Sequence, residues 1–191
     1  DDQIFCNYVK NIGIPVRIHS ERSGVQVNQP RGLNEFVRCA VEKYSKTVAK
    51  TAFAYLKNTA DAEDVTQEVF LTLMQKAPAF ESEEHLKAWL IRVTINKSKD
   101  FLKSGWFKSR TPLYEELPYL TSEQNDLLAA VLSLDVKYRL PIHLYYYEGY
   151  SIKEIAEILG ERTTTIGTRL ARGRKILKDI LKDKIGGFED E

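Results

Sequence analysis

From Ser151 to Leu177 the chain reads SIKEIAEILGERTTTIGTRLARGRKIL, a spacing that fits two short helices meeting at a tight turn and little else. Ser151 and Glu154 form an S-x-x-E capping box, which satisfies orphan amides at a helix start. Ile152, Ile155, Ala156 and Leu159 then fall on one apolar face, and Gly160 stands where a helix end favours a left-handed residue. Past Glu161 and Arg162, Thr163 is expected to cap a second helix. On that helix Ile166, Leu170, Gly173 and Leu177 recur at helical spacing and form its buried stripe. Opposite lie Thr164, Thr168, Ala171 and Lys175, flanked by Thr165, Arg169 and Arg172.

A helix carrying Arg169, Arg172, Arg174 and Lys175 is ordinarily a solvated surface. Joined through so short a turn to a capped partner, it instead matches the helix-turn-helix arrangement. The second helix of that motif enters the major groove, with N-terminal residues toward base edges and basic residues toward phosphates. Small threonines at its leading end let the backbone approach closely, and an arginine can bond a guanine edge through two N–H groups. The expected partner is DNA.

The 191 residues suffice for one ordinary domain or two small ones with a linker, and 43% apolar with 29% charged content reads as a soluble chain. The longest apolar run, LLAAVL at 127–132, is far short of the roughly 20 residues needed to cross a bilayer. The first 30 residues lack the continuous apolar core of a signal peptide. Cys6 and Cys39 are too few and too isolated for a disulfide framework or a zinc site, so a cytoplasmic location is expected. The net charge of +1 conceals blocks of both signs. Residues 33–84 hold six Lys/Arg against nine Asp/Glu, 85–103 five against one, 104–126 two against four, and 162–184 eight against two.

Apolar residues recur at spacings of three and four through 33–57, 61–76, 85–103, 127–132, 151–159 and 164–182. The expected fold is all-α: two small helical domains, 33–103 and 127–184, joined by a flexible linker, 104–126, with a tail at 185–191. Gly105, Pro112 and Pro118 punctuate the linker. Pro141 is expected to kink or split the helix through Tyr138–Tyr147, because it removes a backbone donor. Residues 1–32 form an extension punctuated by Gly13, Pro15, Gly24, Pro30 and Gly32, irregular or hairpin-like. Two readings of it stay open. It is either a passive extension or an apolar segment that packs against residues 33–103, or between the domains, and restrains DNA binding.

A second basic helix, HLKAWLIRVTINKSKDFLKS, aligns Trp89, Arg92, Asn96, Lys99 and Lys103 in one stripe. Cations for phosphate, an amide for a base and a ring for stacking suit opened DNA. The helix DAEDVTQEVFLTLMQ sorts oppositely. Ala62, Val65, Val69 and Leu73 make its core face, while Asp61, Asp64, Gln67, Glu68 and Gln75 form a polar stripe with Leu71 in its middle. Such an acidic face cannot be the one that meets DNA; periodicity alone leaves solvent or a protein partner open.

These three segments resemble the bacterial extracytoplasmic-function sigma factors of RNA polymerase, over about Leu33–Leu181. The resemblance implies a two-domain, all-helical, non-enzymatic factor that binds core polymerase and directs promoter recognition, DNA opening and transcription initiation. It implies a core-binding role for Asp61, Asp64, Gln67, Glu68 and Leu71, with the clamp helices of the largest polymerase subunit and the flap of the second-largest as docking partners. It implies minus-ten contacts from Trp89, Arg92, Asn96, Lys99 and Lys103, and from Phe80 in KAPAFESEE, which is similar to the family's loop that captures a flipped base. It implies minus-thirty-five contacts from Thr163, Thr164, Thr165, Thr168, Arg169, Arg172 and Lys175. The linker resembles the family's connector toward the RNA exit path. Lys103 departs from the arginine often found there, and lysine cannot reproduce a bidentate phosphate contact. Residues 1–32 have no counterpart in the minimal family pattern. An anti-sigma factor is a further partner the resemblance admits and the residues do not name.

A stand-alone helix-turn-helix regulator would explain the C-terminal half but not the acidic helix or the Trp89–Lys103 stripe. Catalysis finds no support, since His19, His85 and His143 are scattered and no phosphate loop, nucleophile–base pair or metal-ligand cluster is present. No cofactor or metal is expected.

Overall fold

The apolar recurrences become helices in the computed structural model, which describes residues 33–76, 78–103 and 122–185. In chain order they are α1 (Leu33–Leu56), α2 (Thr59–Lys76), α3 (Glu83–Lys103), α4 (Ser122–Ser133), α5 (Val136–Ile142), a π-helical turn (His143–Tyr147), α6 (Ile152–Leu159) and α7 (Thr163–Ile185). No strand occurs among the described residues, so the all-α expectation holds there. The extension 1–32, linker residues 104–121 and the tail from 186 lie outside the described residues. The remaining linker residues, 122–126, are helical, and α4 begins at Ser122 rather than at 127. Its polar first turn carries no apolar period, which is why periodicity misses it.

The chain divides into two compact units. In one, α1, α2 and α3 pack on each other pairwise. Its core joins Ala40, Tyr44, Val48, Ala52 and Leu56 of α1 to Ala62, Val65, Val69, Phe70 and Leu73 of α2 and to Leu86 and Leu90 of α3. Helix α1 stops at Lys57, a non-glycine residue with φ 61°, whose amide donates to the Phe53 carbonyl at 2.9 Å. Asn58 then caps α2, its Oδ1 accepting from the Asp61 amide at 3.0 Å. Ser82 does the same for α3, accepting from the His85 amide at 3.1 Å. The Lys43 ammonium bonds the Glu83 carboxylate and ties α1 to the start of α3, and that bond holds the lysine above its ordinary pKa.

In the other unit α7 packs against α4, α5 and α6. The Asp135 carboxylate caps α5 by accepting from the Lys137 amide at 3.0 Å. Pro141 lies inside α5, one residue before its end, and a π-helical turn follows. The α-helical run ends at Ile142, and in the π-helical turn the His143 carbonyl accepts from the Glu148 amide, five residues on, at 3.1 Å. Buried Arg139 donates to the Leu132 carbonyl at 3.1 Å and to that of Leu134, fastening the corner between α4 and α5.

Candidate nucleic-acid interface

The turn between α6 and α7 is built by hydrogen bonds that the sequence anticipates. Ser151 Oγ accepts from the Glu154 amide at 3.3 Å while the Glu154 carboxylate accepts from the Ser151 amide at 2.8 Å, which completes the capping box. Gly160 adopts φ 66° and ψ 35°, and its amide and that of Glu161 both donate to the Ala156 carbonyl. The Ile166 amide donates to the Arg162 carbonyl at 3.1 Å, so Arg162 occupies the cap position. Thr163 is therefore the first helical residue and not the cap, a correction of one position. After Gly160 closes α6, only Glu161 and Arg162 remain to bridge the helices.

Ile166, Leu170, Gly173 and Leu177 are buried, as their spacing requires. A Cβ on Gly173 would meet Ile142 Cγ1 at 3.2 Å and Tyr138 Cβ at 3.4 Å, so α5 presses directly on α7 there. The opposite side presents Thr163, Thr164, Thr168, Ala171, Arg172 and Lys175 to solvent, with Thr165 and Arg169 half-buried beside them. Arg169 is not a loose cation: its guanidinium forms an ion pair with the Glu161 carboxylate, N to O 3.0 Å. An open groove of about 470 Å³ runs between α5 and α7, lined by Lys137, Tyr138, Thr164, Thr165, Thr168, Arg169 and Arg172. Lys137 and Tyr138 belong to no motif. They reach this surface only because Gly173 lets α5 approach, a packing fact that no single-helix pattern encodes.

In the other unit α3 exposes Arg92, Asn96, Lys99 and Lys103 along one side, with Lys103 paired to Asp100 at 3.6 Å. Trp89, at the head of that row, is half-buried against the core. Phe80 is not a free ring on the loop before α3. It packs 5.6 Å from both Trp89 and His85, edge to face, and stacks 6.1 Å from Phe36. Aromatic burial draws this side chain inward and anchors the loop.

On α2, Asp64, Gln67, Glu68 and Leu71 are exposed in one row, with Leu71 at 45%. Asp61, grouped with them by spacing, is fully buried. Its amide donates to the Asn58 cap and its side chain is buried, so Asp61 belongs to the fold and not to the surface row. Met74, 39% exposed and one turn beyond Leu71, extends the apolar part of that face. Its spacing from Leu71 was the available signal. Glu68 bonds Lys97 of α3 at 3.0 Å.

Two family models match this arrangement in order: Sigma-70 region 2 over residues 40–107 and Sigma-70 region 4 over residues 124–177. The RNA polymerase sigma factor SigV of Bacillus subtilis is 31% identical over 135 residues, spanning 68% of this chain and 81% of SigV. The chain belongs to the extracytoplasmic-function sigma factor family. Other relatives agree. SigW of Bacillus subtilis is 26% identical over 75% of the chain and 87% of its own length, and SigE of Mycolicibacterium smegmatis is 29% identical over 74% and 60%. The sigma factor RpoE, solved in complex with the anti-sigma factor NepR from Bartonella quintana, superposes with a TM-score of 0.62 at 23% identity over 76% of the chain and 96% of RpoE. CnrH, solved with the cytosolic domain of CnrY, gives 0.59 at 22% over 78% and 90%. These two likenesses establish the shared fold. As a sigma factor the protein is a non-enzymatic initiation factor that binds core RNA polymerase and promoter DNA, which removes the stand-alone regulator as an alternative. No helix among the described residues is long and apolar enough to cross a membrane.

Proposed function

We propose that the protein divides initiation between its two units, with residues 33–103 docking on core polymerase and reading the minus-ten element, and residues 127–184 reading the minus-thirty-five element. The observation that carries this reading is the sorting of charge by helix face. Helix α2 exposes Asp64 and Glu68 around Leu71, whereas α3 exposes Arg92, Lys99 and Lys103, and α7 exposes Arg172 and Lys175. An acidic, partly apolar face suits a protein surface, and two basic faces suit DNA.

In this reading Asp64, Gln67, Glu68 and Leu71, joined by Met74, meet the clamp helices of the largest polymerase subunit. Asp61, buried, is left out of that contact row. Arg92, Lys99 and Lys103 track phosphates of the minus-ten element while Asn96 and Trp89 face its bases, and Phe80 supports Trp89. The helix-turn-helix unit lies near the polymerase flap and places Thr164, Thr165, Thr168, Arg169, Arg172 and Lys175 at the minus-thirty-five element. The linker, 104–126, connects the two along the polymerase, and the protein works in the cytoplasm. An anti-sigma factor of the kind seen with RpoE is a partner class that this fold accommodates.

Reconstitution tests the reading. The full chain should co-purify with core polymerase and confer promoter-specific runoff transcription. Asp64→Lys should abolish both, and Arg172→Ala should weaken transcription while leaving core binding intact.

A further inference from the structure

Arg169 and Arg172 lie one turn apart on α7 and border the same groove, yet their surroundings differ. Arg172 is exposed. Arg169 is half-buried, and its terminal nitrogen lies 3.0 Å from a Glu161 carboxylate oxygen in an ion pair. Glu161 is itself fixed from the backbone side. Its amide donates to the Ala156 carbonyl at 2.9 Å, in the bond that closes α6 around left-handed Gly160. The carboxylate therefore projects from a rigid turn onto a long, otherwise adaptable side chain.

An exposed pair of this kind adds little to folding. Its consequences concern the guanidinium. A carboxylate beside Arg169 cancels its charge as seen by a DNA backbone and repels phosphate, which makes Arg169 a poor electrostatic grip. The guanidinium carries five N–H donors in a fixed fork, so engaging one terminal nitrogen orients the remainder. Arg169 stands beside Thr165 and Thr168 on the leading half of α7, the half that meets base edges in helix-turn-helix recognition.

We infer that Glu161 is a specificity-determining positioning residue: it holds Arg169 as a base reader, while Arg172, exposed one turn further along the same groove, takes backbone phosphate. The inference rests on α7 meeting promoter DNA. Sequence reading left open whether Arg169 or Arg172 touches a base. The ion pair divides the roles.

The test uses the full chain assembled with core polymerase and a pool of promoter duplexes randomised across the upstream element, with bound duplexes sequenced at low and moderate salt. The wild type should enrich one element. Glu161→Gln should bind the pool at least as tightly, since a negative charge near phosphate is lost, but its preference at one base pair should fall about fivefold or more. In an Arg169→Ala background, Glu161→Gln should change no positional preference. Arg172→Ala should lower binding equally across sequences and reduce the salt slope. Unchanged preferences in Glu161→Gln, or a loss that persists without Arg169, would overturn the inference while Arg172→Ala still weakens binding. If the wild type enriches no upstream element and Arg172→Ala binds like it, the reading of α7 as a DNA helix fails first.

Discussion

The Glu68 carboxylate accepts a hydrogen bond from the Lys97 ammonium at 3.0 Å, and so links the acidic face of α2 to the basic helix α3. Both groups are largely solvated, so the pair contributes at most about 1 kcal/mol to folding, and less in salt. Glu68→Gln should therefore shift thermal unfolding only slightly. A clear loss of core-polymerase affinity in the same variant then reports on docking. A large fall in unfolding temperature would instead make Glu68 a structural residue.

Asp61 and Asp64 stand one turn apart, the first buried and the second exposed on the proposed docking face. Asp61→Lys places an ammonium where the carboxylate is fully buried and should cost on the order of 3 kcal/mol or more in stability. Asp64→Lys changes an exposed residue and should leave the helical signal and unfolding midpoint nearly unchanged while abolishing core binding. Denaturant melts beside a pull-down with core polymerase distinguish them. The opposite pattern, with Asp64→Lys unfolding and Asp61→Lys binding normally, would refute the assignment.

Two glycines of α7 should respond in opposite directions. A Cβ on Gly167 meets nothing within 4 Å, so Gly167→Ala should stabilise the helix by roughly 0.5–1 kcal/mol. Gly173 faces Ile142 and Tyr138 at contact distance, and Gly173→Leu should destabilise by about 1–3 kcal/mol through overpacking. Chemical denaturation of both variants measures this. Equal shifts would mean that α5 does not press on α7 at Gly173.

The Asp135 carboxyl lies below its ordinary value, chiefly because it accepts from the Lys137 amide. A group whose value falls on folding stabilises the native state above its unfolded value, and that contribution is lost as pH drops through the folded one. Asp135→Ala should thus cost about 1 kcal/mol at neutral pH. The gap between wild type and variant should close as the pH falls below about 4. A gap that stays constant down to strong acid would rule out the ionised cap.

Where the cues were local, the sequence was legible. The capping box, left-handed Gly160 and the Ile166–Leu177 stripe are all properties of a few neighbouring residues, and each stands as expected. What spacing did not reveal was set by contacts between helices. Asp61 shares a helical phase with Asp64, yet it is buried where Asp64 is exposed. Phe80 sits in a polar loop, and only the proximity of Phe36 and Trp89 draws it inward. Lys137 and Tyr138 join the α7 surface across an interhelical groove, and Glu161 meets Arg169 across a turn. Periodicity assigns a face to each residue but does not say which faces another element will cover.

The most direct test of the proposal that α2 docks on polymerase while α3 and α7 meet promoter DNA is runoff transcription by purified core polymerase over a library of promoter fragments. With the wild-type chain, discrete transcripts should start at fixed positions downstream of a shared two-part element. With Asp64→Lys they should vanish, and with Arg172→Ala they should weaken most on templates that depend on the upstream half. Transcripts unaffected by Asp64→Lys, or a wild-type chain that gives none with core polymerase present, would contradict the account.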